Sequence, residues 1–233
     1  FFHFYYVKLT LRGFGEPLSY LCFLSALLFL IRFNKHSYSI SYFYSFIFGF
    51  LLALAIGLRA NILPACLVMI IFFILLNLKK NKNIFFLLLG FSLVLIMPIH
   101  NYIFTKKFIP LTIAAYKDWN LGARPSDYII LLKSILTFNL DLIIFKKIIN
   151  HIYGEIKLYE VWYHLSIVIS TYYTIGRKSP FIMRCIALSS LSLISLLLFY
   201  HVGGRYSYLS WTLSLIVLSY SIKNDFLPFI KKI

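Results

Sequence analysis

Apolar runs, each several helical turns long and each closed by a short basic or polar cluster, recur along the chain. They cover Phe14–Phe33, Ile40–Leu58, Ile62–Leu78, Ile84–Pro98, Leu158–Ile175, Phe181–Tyr200 and Arg205–Ile222. A helix needs roughly 20 apolar residues to cross a bilayer core, and it satisfies its own backbone there. The pattern predicts an all-α, polytopic integral membrane protein with about seven transmembrane helices. Hydrophobic residues make up 61% of the chain. Soluble domains hold about 45–50%, so the excess is too large for a soluble globular core.

The spans have start signals of their own. Pro17 suits a first helical turn, where its missing N–H costs nothing. The second and third runs are separated by Arg59-Ala60-Asn61 alone, with Pro64 just beyond, which predicts a tight helical hairpin. Ile84–Pro98 is expected to run on as far as Phe104. Cys22, Cys66 and Cys185 all lie inside apolar runs, with no CxxC and no Cys/His spacing suited to zinc. They read as small buried hydrophobes.

The net charge is +16. The lysines and arginines sit in clusters at the ends of spans, not along one face of a soluble domain, which excludes nucleic acid as partner. The better account is topological, with basic loops held in the cytoplasm against anionic lipid headgroups. Placing Arg32–His36 inside also puts Lys79–Asn83, Gly176–Lys178 and the Lys-Lys-Ile tail inside. Glu16, Arg59, residues 98–157 and Arg205 then fall on the extracytoplasmic face. The C-terminus is cytoplasmic in this arrangement.

Met97–Asp127 is the longest polar stretch, with Pro98, Pro110 and Pro125, a Lys-Lys pair and a Lys-Asp-Trp-Asn cluster. Unpaired backbone of this kind cannot lie in lipid. It is expected to be an aqueous loop or a re-entrant element, and the place where a polar substrate is touched. Tyr128–Tyr153 carries Lys133, Asp141, Lys146 and Lys147 inside an apolar pattern. A mid-bilayer charge costs about 2.5–3.5 kcal/mol on insertion scales, so an interfacial helix fits better than a span. The chain opens Phe-Phe-His, without Met or a signal-peptide pattern. It is expected to be the C-terminal part of a longer protein, with residues 1–233 forming one transmembrane domain.

Several polar residues have two readings. Glu16, the one acidic residue before Asp118, is either a helix N-terminal acid favoured by the dipole or a carboxylate facing a substrate cavity. Arg59 is either an interfacial, snorkelling arginine or a guanidinium whose planar fork pairs with phosphate. Lys106 and Lys107 touch headgroups or a substrate anion. His100 and Asn101 are polar ends of a span or site residues. Arg205, following Gly203-Gly204, opens the last span or completes an anion site. No Ser/His/Asp set, Walker loop or HExxH motif supports a hydrolase or an NTPase.

Four short steps, taken in order, resemble a known family. GFGEPLSYLCF matches an (S/L)-(E/D)-P-L step that opens a span. ALAIGLRANILPA matches a G-L-(A/T)-x-L-x-R-P step, with Ala60 in place of the proline. HNYIFTKKFIPLT, followed by NLGARP, matches R-N-Y-x-x-x-G-x-F-(I/V)-P-L-(S/T) and N-L-x-x-G, with His100 for the arginine and Lys107 for the glycine. GGRYSYL matches a late A-R-Y step. Together they resemble the C-terminal half of a GT-C-type glycosyltransferase, the superfamily of protein O-mannosyltransferases and lipid A aminoarabinose transferases.

The resemblance implies transfer of a sugar from a polyprenyl-phosphate carrier to a glycan, lipid or protein acceptor, outside the cytoplasm and at a bacterial plasma membrane. It also implies that the catalytic aspartate lies upstream of this chain, so no catalytic residue is assigned here. Arg59, Lys106, Lys107, Arg124 and Arg205 would face the donor phosphate, while Asp118, Trp119 and Asn120 would touch the sugar. His100 and Asn101 complete the implied binding set. Glu16 would orient a donor cation or a divalent metal, although no second metal ligand can be named and no cofactor is assigned. A transporter or flippase for a lipid-linked glycan would use the same basic cavity without chemistry. A membrane subunit with no small-molecule site is a third class.

Overall fold

The computed structural model describes residues 15–35, 42–106, 161–176, 179–200 and 204–230, with scattered positions between 133 and 157. Those residues are all-α, with no strand among them. The chain gathers into two compact units, Phe1–Tyr116 and Lys117–Ile233.

In the first unit α1 is Gly15–Lys35, α2 is Tyr42–Leu58, α3 is Leu63–Leu76, α4 is Asn81–Phe91 and α5 is Ile96–Thr105. α1 to α4 each begin within a few residues of an apolar run. Pro64 lies in the first turn of α3, where its ring is harmless. A 3₁₀ turn over Ala60–Ile62 joins α2 to α3, as tight as the spacing implied. α2 packs chiefly against α1 and α4. α3 joins them through Phe73, whose ring stacks on Phe48 of α2 at 4.9 Å and meets Phe33 of α1 edge-on at 5.2 Å.

The α2–α4 contact is the closest approach in the unit. Gly49 and Gly90 bring the two backbones together where any β-carbon would collide. Tyr42 stacks on Phe86 at 5.3 Å, and Gly90 lies against Phe46 and Phe50. The residue numbers of both helices rise together along the contact, so α2 and α4 run parallel. Arg32, Tyr42, Lys79 and Asn81 therefore lie at one end of the unit, while Glu16 and Leu58 lie at the other. Within this unit, Arg32 and Lys79 thus share one end, and Glu16 and Arg59 the other.

The fourth apolar run is not one straight helix. A 3₁₀ segment, Ser92–Leu95, interrupts it, and α5 leaves at 41°. Ser92 donates its hydroxyl to the Leu89 carbonyl at 2.7 Å, and Pro98 lacks the N–H that would continue the ladder. Both features bend helices.

Helix length and hydropathy together are more restrictive than the apolar pattern. Among the described residues, Gly15–Asn34 is long and apolar enough by itself to cross a membrane, and the bent pair passes only when read as one span. Tyr42–Leu58, Ala60–Leu76 and Phe181–Ser195 are apolar but shorter. The 17 residues of α2 rise only about 25 Å against a hydrocarbon core of about 30 Å.

α3 is apolar all round. Ala65, Cys66, Val68, Met69, Phe72 and Phe73 are buried, yet Leu63, Leu67, Ile71 and Leu75 form an exposed stripe at every fourth residue. Leu18, Leu21 and Leu28 of α1 and Phe85, Leu88 and Leu89 of α4 are exposed too.

In the second unit α6 is Val161–Ile175, α7 is Phe181–Tyr200 and α8 is Gly204–Ser221. A π-helical turn, Ile222–Phe226, and a short α9, Leu227–Ile230, follow. The three long helices pack on a seam of small hydroxyl residues. Ser166 meets Ser214 at 2.8 Å, Tyr163 meets Ser210 at 3.4 Å, and Ser190 donates to the Ser210 carbonyl at 2.9 Å. All of these side chains are buried. Small hydroxyl residues let helix backbones approach closely and still satisfy their own polar atoms. Arg184, in the first turn of α7, donates back to the Gly176 carbonyl at 2.7 Å. That contact draws its charge toward the helix end.

The interfacial helix expected over Tyr128–Tyr153 is described only at scattered positions. Lys133, Leu136, Leu142, Lys146, Ile149 and Tyr153 are helical and exposed there, and Ser134 is buried. Asp141 and Lys147 lie outside the described residues. Cys22, Cys66 and Cys185 are all buried free thiols.

Candidate functional site

Glu16 and Arg59, 43 residues apart, form a salt bridge from Arg59 Nη2 to Glu16 Oε1. Local geometry places both groups. Glu16 stands in the first turn of α1, where the free N–H groups favour a carboxylate. Gly15 brings that turn against α2: a β-carbon on it would lie 3.5 Å from the Leu58 carbonyl. One turn further on, Ser19 donates to the Ala55 carbonyl at 2.9 Å. Arg59 follows the last residue of α2 in extended backbone, with φ −151° and ψ 101°. Its own N–H still closes onto the Ala55 carbonyl at 3.0 Å. The helix has ended, and the guanidinium is free to turn across to α1.

The two partners differ in exposure. The Glu16 side chain is 2% exposed and that of Arg59 is 25% exposed. Glu16 Oε2 is buried without a hydrogen-bond partner, so the carboxylate keeps an open acceptor. Arg59 has five N–H donors and gives one of them to Glu16. The rest of its fork remains available at a partly open surface. A buried carboxylate costs several kcal/mol in desolvation unless a cation meets it, and Arg59 fills that role. The pair has no net charge, so what it offers an anion is oriented donors rather than a bare cation.

The remaining expected residues are only partly described. His100 lies on α5, exposed, its ring 4.5 Å from that of Phe104. Asn101 is on the same helix, its side chain outside the described residues. α5 continues from α4, which runs parallel to α2, and so leads toward the Arg59 end of the unit.

Lys106 caps α5 in the left-handed region at φ 56°, with its N–H bonded to the Tyr102 carbonyl at 2.9 Å. This cap conformation is the one glycine usually takes. Counted from Asn101-Tyr102, the glycine of the resembling step falls on Lys106, not on Lys107. Lys107, Asp118, Trp119, Asn120 and Arg124 lie outside the described residues. Arg205 stands in the first turn of α8 in the second unit, its side chain likewise not described. Among the described residues no three His, Cys, Asp or Glu side chains gather to share a metal.

Two polar clusters escaped the sequence reading. Asn77 and Asn83 are both buried at the α3–α4 turn. Asn83 donates to Asn77 Oδ1 at 2.9 Å, and Asn77 donates to the Phe73 carbonyl at 3.0 Å. The sequence signal was a pair of asparagines flanking the lysine cluster, hidden by the charge around it. At the end of α8, Asp225 accepts from the buried Tyr173 hydroxyl and from Ser221 at 3.2 Å. Nothing in the tail sequence marked Asp225 as a partner for a tyrosine 52 residues earlier.

Comparison with known protein families, with curated proteins and with solved structures returns no match.

Proposed function

We propose that this chain is a polytopic membrane protein and the donor-binding half of a GT-C-type glycosyltransferase. It acts on a polyprenyl-phosphate-linked sugar at the extracytoplasmic face. The Glu16–Arg59 pair is the observation that carries this reading. Its two members come from the E-P-L step and the G-L-R step, and they meet at the end of the first unit opposite the lysines. Membrane placement has separate support in the exposed apolar stripe of α3 and the exposed leucines of α1 and α4. Patches of that extent on a soluble monomer would aggregate, whereas lipid covers them without cost.

A polyprenyl phosphate leaves as an anion, so negative charge builds on its oxygens in the transition state. Donors fixed in a partly dehydrated site stabilise that charge. Glu16 holds the Arg59 fork in one orientation, and the remaining N–H groups of the fork donate to the phosphate oxygens. Lys106, exposed at the end of α5 in the same unit, adds positive potential. His100, exposed on α5, lines the approach. No residue of this chain is assigned as the general base.

The test is donor kinetics in the full-length protein reconstituted in lipid. Arg59→Ala lowers kcat/KM for the polyprenyl-phosphate sugar by about 10²–10³-fold, the usual effect of removing one transition-state donor. Arg59→Lys recovers part of this, because it restores charge but not the fork. Unchanged transfer kinetics in both variants would sink the phosphate site. Movement of the lipid-linked sugar across the bilayer, without transfer, would establish the flippase reading instead.

A further inference from the structure

The lysine end of the first unit has a structure of its own. Arg32, Lys79, Lys80 and Lys82 are exposed there. Glu16 is the sole acidic residue of the whole unit, and it is spent on Arg59 at the far end. The unit therefore contains no carboxylate to balance these cations.

The turn that carries the lysines is held firmly. Asn83 clamps Asn77, Asn77 clamps the Phe73 carbonyl, and Lys80 donates its backbone N–H to the Asn77 carbonyl at 2.7 Å. Two buried asparagines are costly to place at a surface turn unless its shape matters. Beside them Tyr42 stacks on Phe86, and Lys82 Nζ lies 5.9 Å from the centre of the Tyr42 ring. Tyr42, Phe43 and Tyr44 are exposed as well. Amphipathic rings beside basic side chains are the composition of a membrane–water interface.

We propose that this end of the first unit binds anionic lipid headgroups. Lys79, Lys80, Lys82 and Arg32 take the phosphodiester charge, and Tyr42, Phe43 and Tyr44 sit at headgroup depth. The surface rests on membrane placement but not on the transferase reading, since it lies at the opposite end from Arg59. The preformed turn lowers the ordering cost that three free lysines would carry.

The experiment uses the full chain purified in a neutral detergent, with its melting temperature followed as lipid is added. Phosphatidylglycerol raises the melting temperature saturably, and phosphatidylcholine, with the same phosphate but no net charge, does not. Lys79→Gln/Lys80→Gln/Lys82→Gln melts as wild type without lipid and needs about a hundredfold more phosphatidylglycerol for half-saturation. Lys79→Arg/Lys80→Arg/Lys82→Arg keeps the response within a few-fold, and Lys133→Gln, in the second unit, leaves it unchanged. The proposal is overturned if phosphatidylcholine stabilises equally or if the triple glutamine variant responds as wild type. It is also overturned if inorganic phosphate reproduces the shift at the same concentration, which would assign the surface to a soluble anion. A chain that stays soluble without detergent or lipid would defeat the membrane placement itself, a result distinct from either of these.

Discussion

Gly49 and Gly90 are mirror partners across the α2–α4 contact. A β-carbon on Gly49 would fall 2.2 Å from the Leu87 carbonyl oxygen, and one on Gly90 would fall 2.2 Å from that of Phe46. Both obstacles are backbone, so no side chain can move aside. Gly49→Ala and Gly90→Ala each force the two helices apart and cost about 1–3 kcal/mol. The gain in helix propensity from alanine, about 1 kcal/mol, does not offset this. Thermal unfolding in detergent reads the loss, and Gly57→Ala is the control, because nothing lies within 4 Å of a β-carbon there.

The Glu16–Arg59 bridge predicts strong coupling. Arg59→Ala leaves a buried carboxylate uncompensated, and Glu16→Ala removes the partner of a half-buried guanidinium. Breaking a buried pair from one side costs about 3–5 kcal/mol, with Arg59→Ala the more severe because Glu16 is the deeper of the two. The double variant should lose less than the sum of the singles. Additive losses in the double-mutant cycle would show that the bridge adds nothing.

The hydroxyl seam of the second unit behaves differently. Ser166→Ala and Ser214→Ala break one contact between small side chains, and each costs about 0.6 kcal/mol, as measured on average for interhelical bonds in membranes. Ser166→Leu places a large group between α6 and α8 and costs about 1–3 kcal/mol. If the alanine and leucine variants melt alike, the seam is not close-packed.

The two ends of the first unit should face opposite sides of the membrane. A membrane-impermeant maleimide applied to intact cells labels Lys106→Cys, exposed at the Arg59 end, and labels Lys80→Cys only after the membrane is opened. The native thiols are buried, so they add little background. The reverse pattern would invert the orientation.

Much of this architecture was legible along the chain. Apolar runs bounded by Pro17, Pro64 and the lysine clusters marked the helices to within a few residues, because helix formation depends on neighbours three and four positions apart. Charge at the run ends grouped Arg32 with Lys79–Lys82. The bend at Ser92–Leu95 was not legible, since the apolar run continues through it, and the break depends on one hydroxyl and one missing N–H. The left-handed cap at Lys106 was not legible either, because a lysine there carries no glycine signal.

By itself, then, the sequence determined that the described residues are all-helical, the limits of most helices outside the fourth run, and the segregation of basic clusters, all of which follow from short-range periodicity and composition. The tertiary structure alone decided that α2 and α4 run parallel with Gly49 on Gly90, and that Glu16 closes on Arg59. Glu16 and Arg59 each had a local explanation, as a helix-start acid and a snorkelling cation. What joins them is the packing of the first turn of α1 against the last turn of α2, where burial leaves the carboxylate no water and the arginine is the cation within reach.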